Sequence, residues 1–304
     1  MEDILKNKIA VLKERLTGGV APAMATPLLP DSYHVNTAVI PKLVDFLIDR
    51  DVKGVFVGGT TGEGPFLDVE ARQQLAEATV SAVNGRVVTI LHIGGMRTET
   101  AVVLAQHAAT LGVDAIAAVT PFYYGMHDAG LAAYYHAVAA AAPEIPLFLY
   151  DIPHMAVNGI SPALATRLSA EIPSLAGIKC SNQSVQAVRR LLDALPSEKF
   201  VLIGNETAAL GALALGCVGM VSGLSTAVPE PFVGLAKAFA AGDIIEARRQ
   251  QLVINQLLTH MPPGARIGGI KAILGSRGVA VGTAVPTLPM PAVSPWPAMQ
   301  DLVV

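Results

Sequence analysis

One lysine stands inside an otherwise apolar run of the sequence. Lys179 interrupts the segment LAGIKC (175–180), whereas the other lysines fall in helical patterns, loops or charged edges. A buried ammonium group is unfavourable unless the pKa of the amine falls. A lysine that is neutral near pH 7 is the nucleophile needed to attack a carbonyl carbon and form a Schiff base. The alternative is an ion pair with a nearby acid, for which Glu63 and Glu206 are the candidates.

Schiff-base chemistry also needs a proton carrier and a group that holds the substrate. Tyr150 lies in the apolar run before the one that contains Lys179, so the two residues are expected to end neighbouring strands. A phenol at this place can move protons to and from the reacting oxygen atoms, and a core tyrosine with a satisfied hydroxyl is the alternative. The segment GGTTGE (58–63) predicts a compact turn whose hydroxyls and N–H groups can hold a carboxylate or a phosphate.

Eight short apolar runs recur along the chain, each bounded by Gly, Pro or Asn. They are continuous and do not alternate with polar residues, which is typical of parallel strands covered on both faces. The predicted strands lie within 19–26, 52–59, 86–94, 113–122, 146–153, 175–180, 200–205 and 218–224.

Helical patterns alternate with these strands. Asp68 stands at the N-cap position of one helix, and Gly112 follows the end of the next. Eight strands and eight helices in alternation predict an α/β fold, the (β/α)8 TIM barrel, with additional C-terminal helices. A doubly wound open sheet is the alternative, but no glycine fingerprint follows the first strand. The predicted helices lie within 35–50, 68–83, 98–112, 128–142, 161–172, 184–195, 206–216 and 229–242.

We expect residues 1–304 to form a single domain. The barrel is predicted over 18–240, and 241–304 is predicted as a helical extension with a Pro-rich tail that wraps the barrel. Chemistry in such barrels takes place at the carboxyl ends of the strands. Residues with reactive or polar groups lie at or just after the carboxyl ends of the predicted strands; they are Thr60, Thr61, Glu63, Tyr123, Tyr124, Tyr150, Lys179, Asn205 and Glu206.

Composition sets the broad class of protein. The chain is 52% hydrophobic and 15% charged, and the uncharged segment 207–229 is long enough to cross a bilayer. Its glycines and hydroxyls favour a buried helix followed by a buried strand over a membrane span. The amino-terminal segment is typical of a surface amphipathic helix and not of a signal peptide. Two cysteines and a net charge of −3 indicate no disulfide framework and no nucleic-acid partner, so we expect a cytoplasmic protein that binds a small molecule.

Some residues are expected to be structural. Side chains alternate along a strand, so Cys180 should point away from the face of Lys179 and serve packing. His92 and His107 are predicted on the core or on a helix face.

Several motifs together resemble one family. They are GGTTGEGPFL (58–67) followed by Glu70 and Arg72, TPFYY (120–124), YDIP (150–153), GIKCSN (177–182) and GCVGMVSG (216–223). In order and spacing they resemble the dihydrodipicolinate synthase/N-acetylneuraminate lyase family, the pyruvate-dependent class I aldolases. The resemblance extends from Gly18 to the C-terminal helices. It implies a lyase that acts on a 2-oxo acid and an aldehyde, assembled as a homotetramer (a dimer of dimers), without a metal or organic cofactor.

The resemblance implies roles for the matching residues. Lys179 matches the lysine that forms the Schiff base with pyruvate or another 2-oxo acid, and Tyr150 matches the tyrosine that shuttles protons. Tyr123 matches a tyrosine that a neighbouring subunit lends to the proton relay. Val221 lies where the family has an aliphatic residue against the substrate.

The resemblance also assigns the GGTTGE turn. Thr60 and Thr61 match the hydroxyl pair whose side chains and amides hold the carboxylate of the 2-oxo acid, and Gly59 belongs to the same turn.

The departures from the family pattern bear on the second substrate. The lysine-biosynthetic synthases continue this motif with Ser and Arg, where this chain has His154 and Met155. His154 is a candidate anion ligand without the bidentate fork of arginine, and a solvent-facing histidine is the alternative. Asn205 and Glu206 replace an acidic pair and suit the hydroxyls of a sugar acid.

The expected substrate is therefore a 2-keto-3-deoxy sugar acid or a related 4-hydroxy-2-oxo acid. The alternatives are 4-hydroxy-tetrahydrodipicolinate (dihydrodipicolinate) synthase, a sugar-acid dehydratase that uses the same imine, and a non-catalytic sensor of 2-oxo acids.

Overall fold

A computed structural model describes residues 2–303. Strands and helices alternate along this part of the chain. The strands are β1 (Gly19–Val20), β2 (Gly54–Val57), β3 (Val88–His92), β4 (Ala115–Val119), β5 (Leu147–Asp151), β6 (Leu175–Cys180), β7 (Phe200–Ile203) and β8 (Gly219–Met220). The helices are α1 (Glu2–Leu16), α2 (Ile40–Ile48), α3 (Val69–Val83), α4 (Thr98–Leu111), α5 (Asp128–Ala141), α6 (Pro153–Ala156), α7 (Pro162–Glu171), α8 (Val185–Ala194), α9 (Ala209–Leu215), α10 (Glu230–Ala240), α11 (Ile244–Thr259), α12 (Arg266–Ser276) and α13 (Trp296–Met299).

The strands form one eight-stranded sheet in the order β1-β8-β7-β6-β5-β4-β3-β2. Each strand from β3 to β8 is parallel to the next, as expected when a helix connects consecutive strands. This order, with helices between the strands and further helices after β8, is that of a (β/α)8 TIM barrel, so the predicted fold is confirmed. Every predicted strand run contains one observed strand.

The chain divides into two compact units. The first comprises Met1–Thr17 and Val88–Met220, and the second comprises Gly18–Val87 and Val221–Val304. The single-domain boundaries expected from the sequence remain a prediction.

In the first unit, every residue of strands β3 to β8 is buried. Two of the helices between them, α7 and α8, begin at side chains that accept a hydrogen bond from the first turn. Ser161 Oγ accepts from the Leu164 N–H at 3.0 Å, and Ser184 Oγ accepts from the Ala187 N–H at 3.3 Å.

In the second unit, the first part of the C-terminal tail contributes to the core. Val281 and Val285 are buried, and the Val281 carbonyl accepts a hydrogen bond from the Leu28 N–H at 3.0 Å. Asp68 caps α3 as predicted, because its carboxylate accepts from the Ala71 N–H at 2.8 Å. Residues beyond α12 therefore contribute to this unit.

The uncharged segment 207–229 is divided among short elements. It contains α9, β8 and a turn at Leu224–Thr226, in agreement with a buried helix followed by a buried strand. Within residues 2–303, no helix has both the length and the apolarity required to cross a membrane.

Candidate active site

Lys179 is the charged residue of strand β6. In the parallel register it lies opposite Tyr150 of β5, and its side chain is buried. Lys179 Nζ lies 3.4 Å from the centroid of the Tyr150 ring, and it donates a long hydrogen bond to Ser181 Oγ at 3.4 Å. The register of two neighbouring strands therefore brings the predicted nucleophile and the predicted proton carrier into contact.

Burial changes the ionisation of this amine. It lowers the pKa of Lys179 below its usual value, because the ammonium form loses its hydration. The neighbouring Tyr150 and the negative charge of Glu206 oppose this shift and favour the protonated form. The net effect enlarges the neutral, nucleophilic fraction of Lys179 at a given pH.

Tyr150 also contacts a histidine. The rings of His92 and Tyr150 meet edge to face with centroids 5.8 Å apart. His92 Nε2 accepts a hydrogen bond from the Val119 N–H at 3.3 Å, so the neutral ring with this contact carries its proton on Nδ1. His92 is buried, as the sequence predicted, and it restrains the tyrosine ring that lies against Lys179.

The residues next to Tyr150 and Lys179 point to the opposite face. Cys180 Sγ lies 3.7 Å from Asp151 Oδ2, and Asp151 Oδ1 accepts from the Ile160 N–H at 2.9 Å. Burial raises the pKa of Asp151 and raises that of Cys180 to about 12, which leaves the thiol protonated and unreactive. The predicted packing role of Cys180 is consistent with these contacts.

Ser181 was not identified from the sequence. Its hydroxyl contacts Lys179 Nζ, and its N–H donates to the Asp151 carbonyl at 2.8 Å. A Cβ atom at Gly204 would clash with Ser181 Oγ, so a larger residue there would displace the hydroxyl that contacts Lys179. The signal was present in GIKCSN, because residues two apart along an extended segment share a face.

Tyr123 lies on an exposed loop with an unusual backbone. Its φ is +80°, a left-handed conformation, and 74% of the residue is exposed. The ring of Tyr124 packs against it edge to face, with centroids 5.0 Å apart. The structure leaves both aromatic rings accessible on this chain.

Asn158 holds the Tyr123 loop from beneath, and the sequence analysis missed it. Asn158 Nδ2 donates to the carbonyls of Pro121 at 2.7 Å and Tyr124 at 2.8 Å, and Oδ1 accepts from the Met126 N–H at 2.8 Å. One buried amide therefore satisfies all three of its hydrogen-bonding groups on a single loop. Its only signal in the sequence is an Asn–Gly pair, which is more typical of a turn.

The other candidates of the first unit have distinct surroundings. Asn205 Oδ1 caps the following turn by accepting from Thr207, at 3.2 Å from N and 2.8 Å from Oγ1. Glu206 is half-buried, and its charge acts on Lys179. His154 is exposed on α6, and the charged group it acts on is Asp151. Of these three residues, Glu206 is the one whose charge raises the pKa of Lys179.

The GGTTGE turn belongs to the second unit. Gly59 is buried, whereas Thr60 and Thr61 are half-buried. The Glu63 N–H donates to the Thr60 carbonyl at 3.1 Å, which closes the turn. Thr61 Oγ1 approaches Gly223 so closely that a Cβ at position 223 would lie 2.6 Å from it. Val221, which follows β8, is buried in the same unit.

Glu63 makes an ion pair that the sequence analysis did not anticipate. Its carboxylate Oε2 lies 2.5 Å from Nζ of Lys271 on α12, and both side chains are fully buried. The sequence offered Glu63 as a partner for Lys179, but this carboxylate is bound by Lys271. Lys271 lies on a helix, and lysines on helices are usually exposed. The sequence around it therefore did not predict its burial.

The chain is similar to known proteins over most of its length. The model of the dihydrodipicolinate synthetase family matches residues 16–295. The 4-hydroxy-tetrahydrodipicolinate synthase of Salinibacter ruber is 35% identical over 235 residues, covering 77% of each chain. The N-acetylneuraminate lyase of Mediterraneibacter gnavus is 31% identical over 259 residues, covering 84% of this chain and 82% of the relative.

A solved structure is similar over almost the full length. It is the sialic acid aldolase of Ruminococcus gnavus in a catalytic lysine mutant, with a TM-score of 0.90 and 28% identity, and the match covers 95% of both chains.

Proposed function

The chain belongs to the dihydrodipicolinate synthetase family and is a lyase of the pyruvate-dependent class I aldolase type, and from this premise we propose which bond it acts on. The proposed reaction joins or cleaves the C–C bond between pyruvate and a hydroxylated or sugar-derived aldehyde. The buried amine of Lys179 against the ring of Tyr150 is the observation that carries the proposal. The similar sialic acid aldolase, by the name of its structure, has a catalytic lysine.

The chemistry follows from a neutral amine in a desolvated position. Lys179 Nζ attacks C2 of the 2-oxo acid, and Tyr150 passes a proton to the carbinolamine oxygen, which leaves as water when the iminium forms. Loss of a proton from C3 gives an enamine. The enamine carbon attacks the aldehyde carbon, the aldehyde oxygen takes up a proton, and hydrolysis of the imine releases a 4-hydroxy-2-oxo acid and free Lys179. Cleavage runs the same steps in reverse.

The remaining site residues keep proposed roles that come from the family resemblance. Thr60 and Thr61, with Gly59, would bind the carboxylate of the 2-oxo acid, and Val221 would pack against the substrate. Tyr123 would reach the proton relay of a neighbouring subunit, which fits the exposure of this ring on a single chain.

The second substrate is proposed to meet Asn205, Glu206 and His154. The half-buried carboxylate of Glu206 can accept hydrogen bonds from hydroxyls of a sugar acid. We further propose a homo-oligomer, a dimer of dimers, that works in the cytoplasm without a metal or organic cofactor.

A synthase that condenses pyruvate with aspartate semialdehyde is the second candidate, because the similar protein of Salinibacter ruber is named 4-hydroxy-tetrahydrodipicolinate synthase. The thioether of Met155, 60% exposed after YDIP, offers no charge for the carboxylate of that aldehyde. An uncharged residue at this position favours an aldehyde that carries no carboxylate there.

Trapping and product analysis test the proposal. The protein is incubated with pyruvate, reduced with borohydride and digested, and the adduct is expected on the peptide that carries Lys179. An adduct on another lysine, or none, contradicts the mechanism and leaves a sensor of 2-oxo acids as the better reading. Tyr150→Phe should slow turnover and still allow some adduct.

A panel of 4-hydroxy-2-oxo acids then identifies the reaction. Release of pyruvate and an aldehyde supports a lyase, and a product lighter by one water indicates the dehydratase. Rapid condensation of pyruvate with aspartate semialdehyde, with no cleavage of the panel, overturns the proposed substrate class.

A further inference from the structure

We propose that Lys271 is a positioning residue for the 2-oxo acid, because its buried ion pair with Glu63 holds the turn that carries Thr60 and Thr61. The inference rests on the proposed function, in which these threonines bind the carboxylate. It gives the C-terminal part of the chain a role in binding substrate without contact to it.

The ion pair anchors Glu63 to the end of the chain from two sides. Glu63 Oε2 faces Lys271 Nζ at 2.5 Å, and Glu63 Oε1 accepts from the Val285 N–H at 2.7 Å. Lys271 Nζ also donates to the Thr283 carbonyl at 2.7 Å. Both charged groups are thus tied to the same short stretch of the tail, and neither is exposed to water.

The backbone of Glu63 links this anchor to the threonines. Its φ is +57°, in the left-handed region that residues other than glycine rarely adopt. Its N–H donates to the Thr60 carbonyl at 3.1 Å, and its carbonyl accepts from the Phe66 N–H at 2.9 Å. Because this conformation is unfavourable by itself, contacts of the side chain have to maintain it. A rotation at Glu63 would displace the Thr60 carbonyl directly.

Other contacts of the turn hold the backbone of the residues on either side of Glu63. Thr26 Oγ1 donates to the Gly62 carbonyl at 2.5 Å, and a Cβ atom at Gly62 would lie 2.8 Å from the Met24 carbonyl. These contacts fix the backbone before Glu63, and the Gly64 N–H fixes it after Glu63 by donating to the Gly59 carbonyl at 3.1 Å. The ion pair with Lys271 holds the side chain between them.

A buried ion pair contributes little net stability to a protein. Desolvation of both charges offsets most of their attraction, and apolar residues of similar size often serve stability as well. The directional bonds of the pair, by contrast, define one conformation of the turn. We therefore expect loss of the pair to change substrate affinity more than it changes the fold.

The test measures the pyruvate concentration that gives half-maximal borohydride-trapped adduct on Lys179, together with thermal unfolding. The variant Glu63→Gln/Lys271→Met removes both charges and keeps an oxygen for the Val285 N–H. It is expected to fold and to need at least tenfold more pyruvate, while the adduct formed at saturation stays the same. Lys237→Met, which removes the exposed pair with Asp51 in the same unit, is the matched control and should behave as wild type.

A second pair of measurements separates positioning from mere stability. Lys271→Met alone leaves the Glu63 carboxylate buried without its cation, so it should lower the midpoint of thermal unfolding more than the double variant does and raise the pyruvate requirement at least as much. If the double variant does not fold, Glu63→Gln alone is tested, and the same loss of affinity is expected.

The outcomes are distinct. A folded double variant, or folded Glu63→Gln, with the pyruvate requirement of wild type overturns the positioning role. A folded Lys271→Met protein with the pyruvate requirement of wild type also counts against it. Failure of wild-type protein to form any adduct on Lys179 instead refutes the proposed function.

Discussion

Lys179 and Lys271 are the two buried lysines among residues 2–303, and one lies in each compact unit. Lys271 Nζ faces the Glu63 carboxylate at 2.5 Å and the Thr283 carbonyl at 2.7 Å. Lys179 Nζ lies against the ring of Tyr150 and the hydroxyl of Ser181. Burial lowers the pKa of both amines, and for Lys271 the carboxylate of Glu63 opposes that change. Burial alone therefore does not define a nucleophile, because the adjacent groups decide which form of the amine is useful.

Exchanging each lysine for methionine gives the largest expected contrast. Lys179→Met should abolish the pyruvate adduct and lower turnover by about 10³-fold or more, because the covalent path is lost. Lys271→Met should still form the adduct at saturating pyruvate. Peptide mapping after borohydride reduction measures both. A folded Lys271→Met protein without adduct at saturation would remove the distinction between the two lysines.

In stability the order of the two variants should reverse, with the larger loss of unfolding free energy in Lys271→Met. Lys271→Met leaves the Glu63 carboxylate buried without its cation and should cost about 3–5 kcal/mol of unfolding free energy. Lys179→Met replaces a desolvated amine with an apolar chain of similar length and should cost little or stabilise. Urea unfolding followed by circular dichroism gives both values. Equal losses in the two variants would mean that both lysines are structural.

The variant Asn158→Leu tests whether the conformation of the Tyr123 loop can be lost without affecting the adduct on Lys179. Asn158→Leu removes three hydrogen bonds to the loop and should cost about 1–3 kcal/mol. Chymotrypsin should then cleave faster after Tyr123 and Tyr124, and turnover should fall, with the pyruvate adduct retained. Unchanged cleavage would show that other contacts suffice. Leu131→Ala, a buried apolar truncation on α5, controls for general loss of stability.

The pH dependence of imine formation is the smallest expected effect. A neutral amine attacks, so the trapping rate should rise tenfold per pH unit and level off above the folded pKa of Lys179, which lies below the usual 10.5. The charge of Glu206 raises that pKa, so Glu206→Gln should move the profile to lower pH. Rates from timed borohydride quenching give the profile. A shift to higher pH contradicts the assignment.

The sequence predicted the fold and singled out Lys179 for the same physical reason. Parallel strands buried on both faces are almost uniformly apolar, so a lysine in LAGIKC stands out without any structure. The spacing of Tyr150 and Lys179 on consecutive strands then implied contact, and their register agrees. The lengths of β1 and β8 were overestimated, because apolar runs continue beyond the two residues that form ladder bonds.

The missed features depend on contacts between distant parts of the chain. Lys271 lies on a helix, where its burial cannot be read from the sequence. Glu63 also accepts a hydrogen bond from Val285, which lies 222 positions further along the chain. Neither residue type nor local spacing encodes such a contact. Asn158 gave no better signal, because an Asn–Gly pair is common in turns, and its bonds to Pro121 and Met126 exist only after two loops meet.

The contact between Glu63 and the tail has a consequence for the order of events during synthesis. The turn that carries Thr60 and Glu63 leaves the ribosome well before Lys271 and Val285, since Val285 follows Glu63 by 222 positions. Chains fold from the amino-terminal end as they grow, so the Glu63 carboxylate has no Lys271 to pair with until translation has passed that residue. A nascent chain that stops before Lys271 lacks the cation of this ion pair, so the turn reaches its final contacts only after Lys271 has been added.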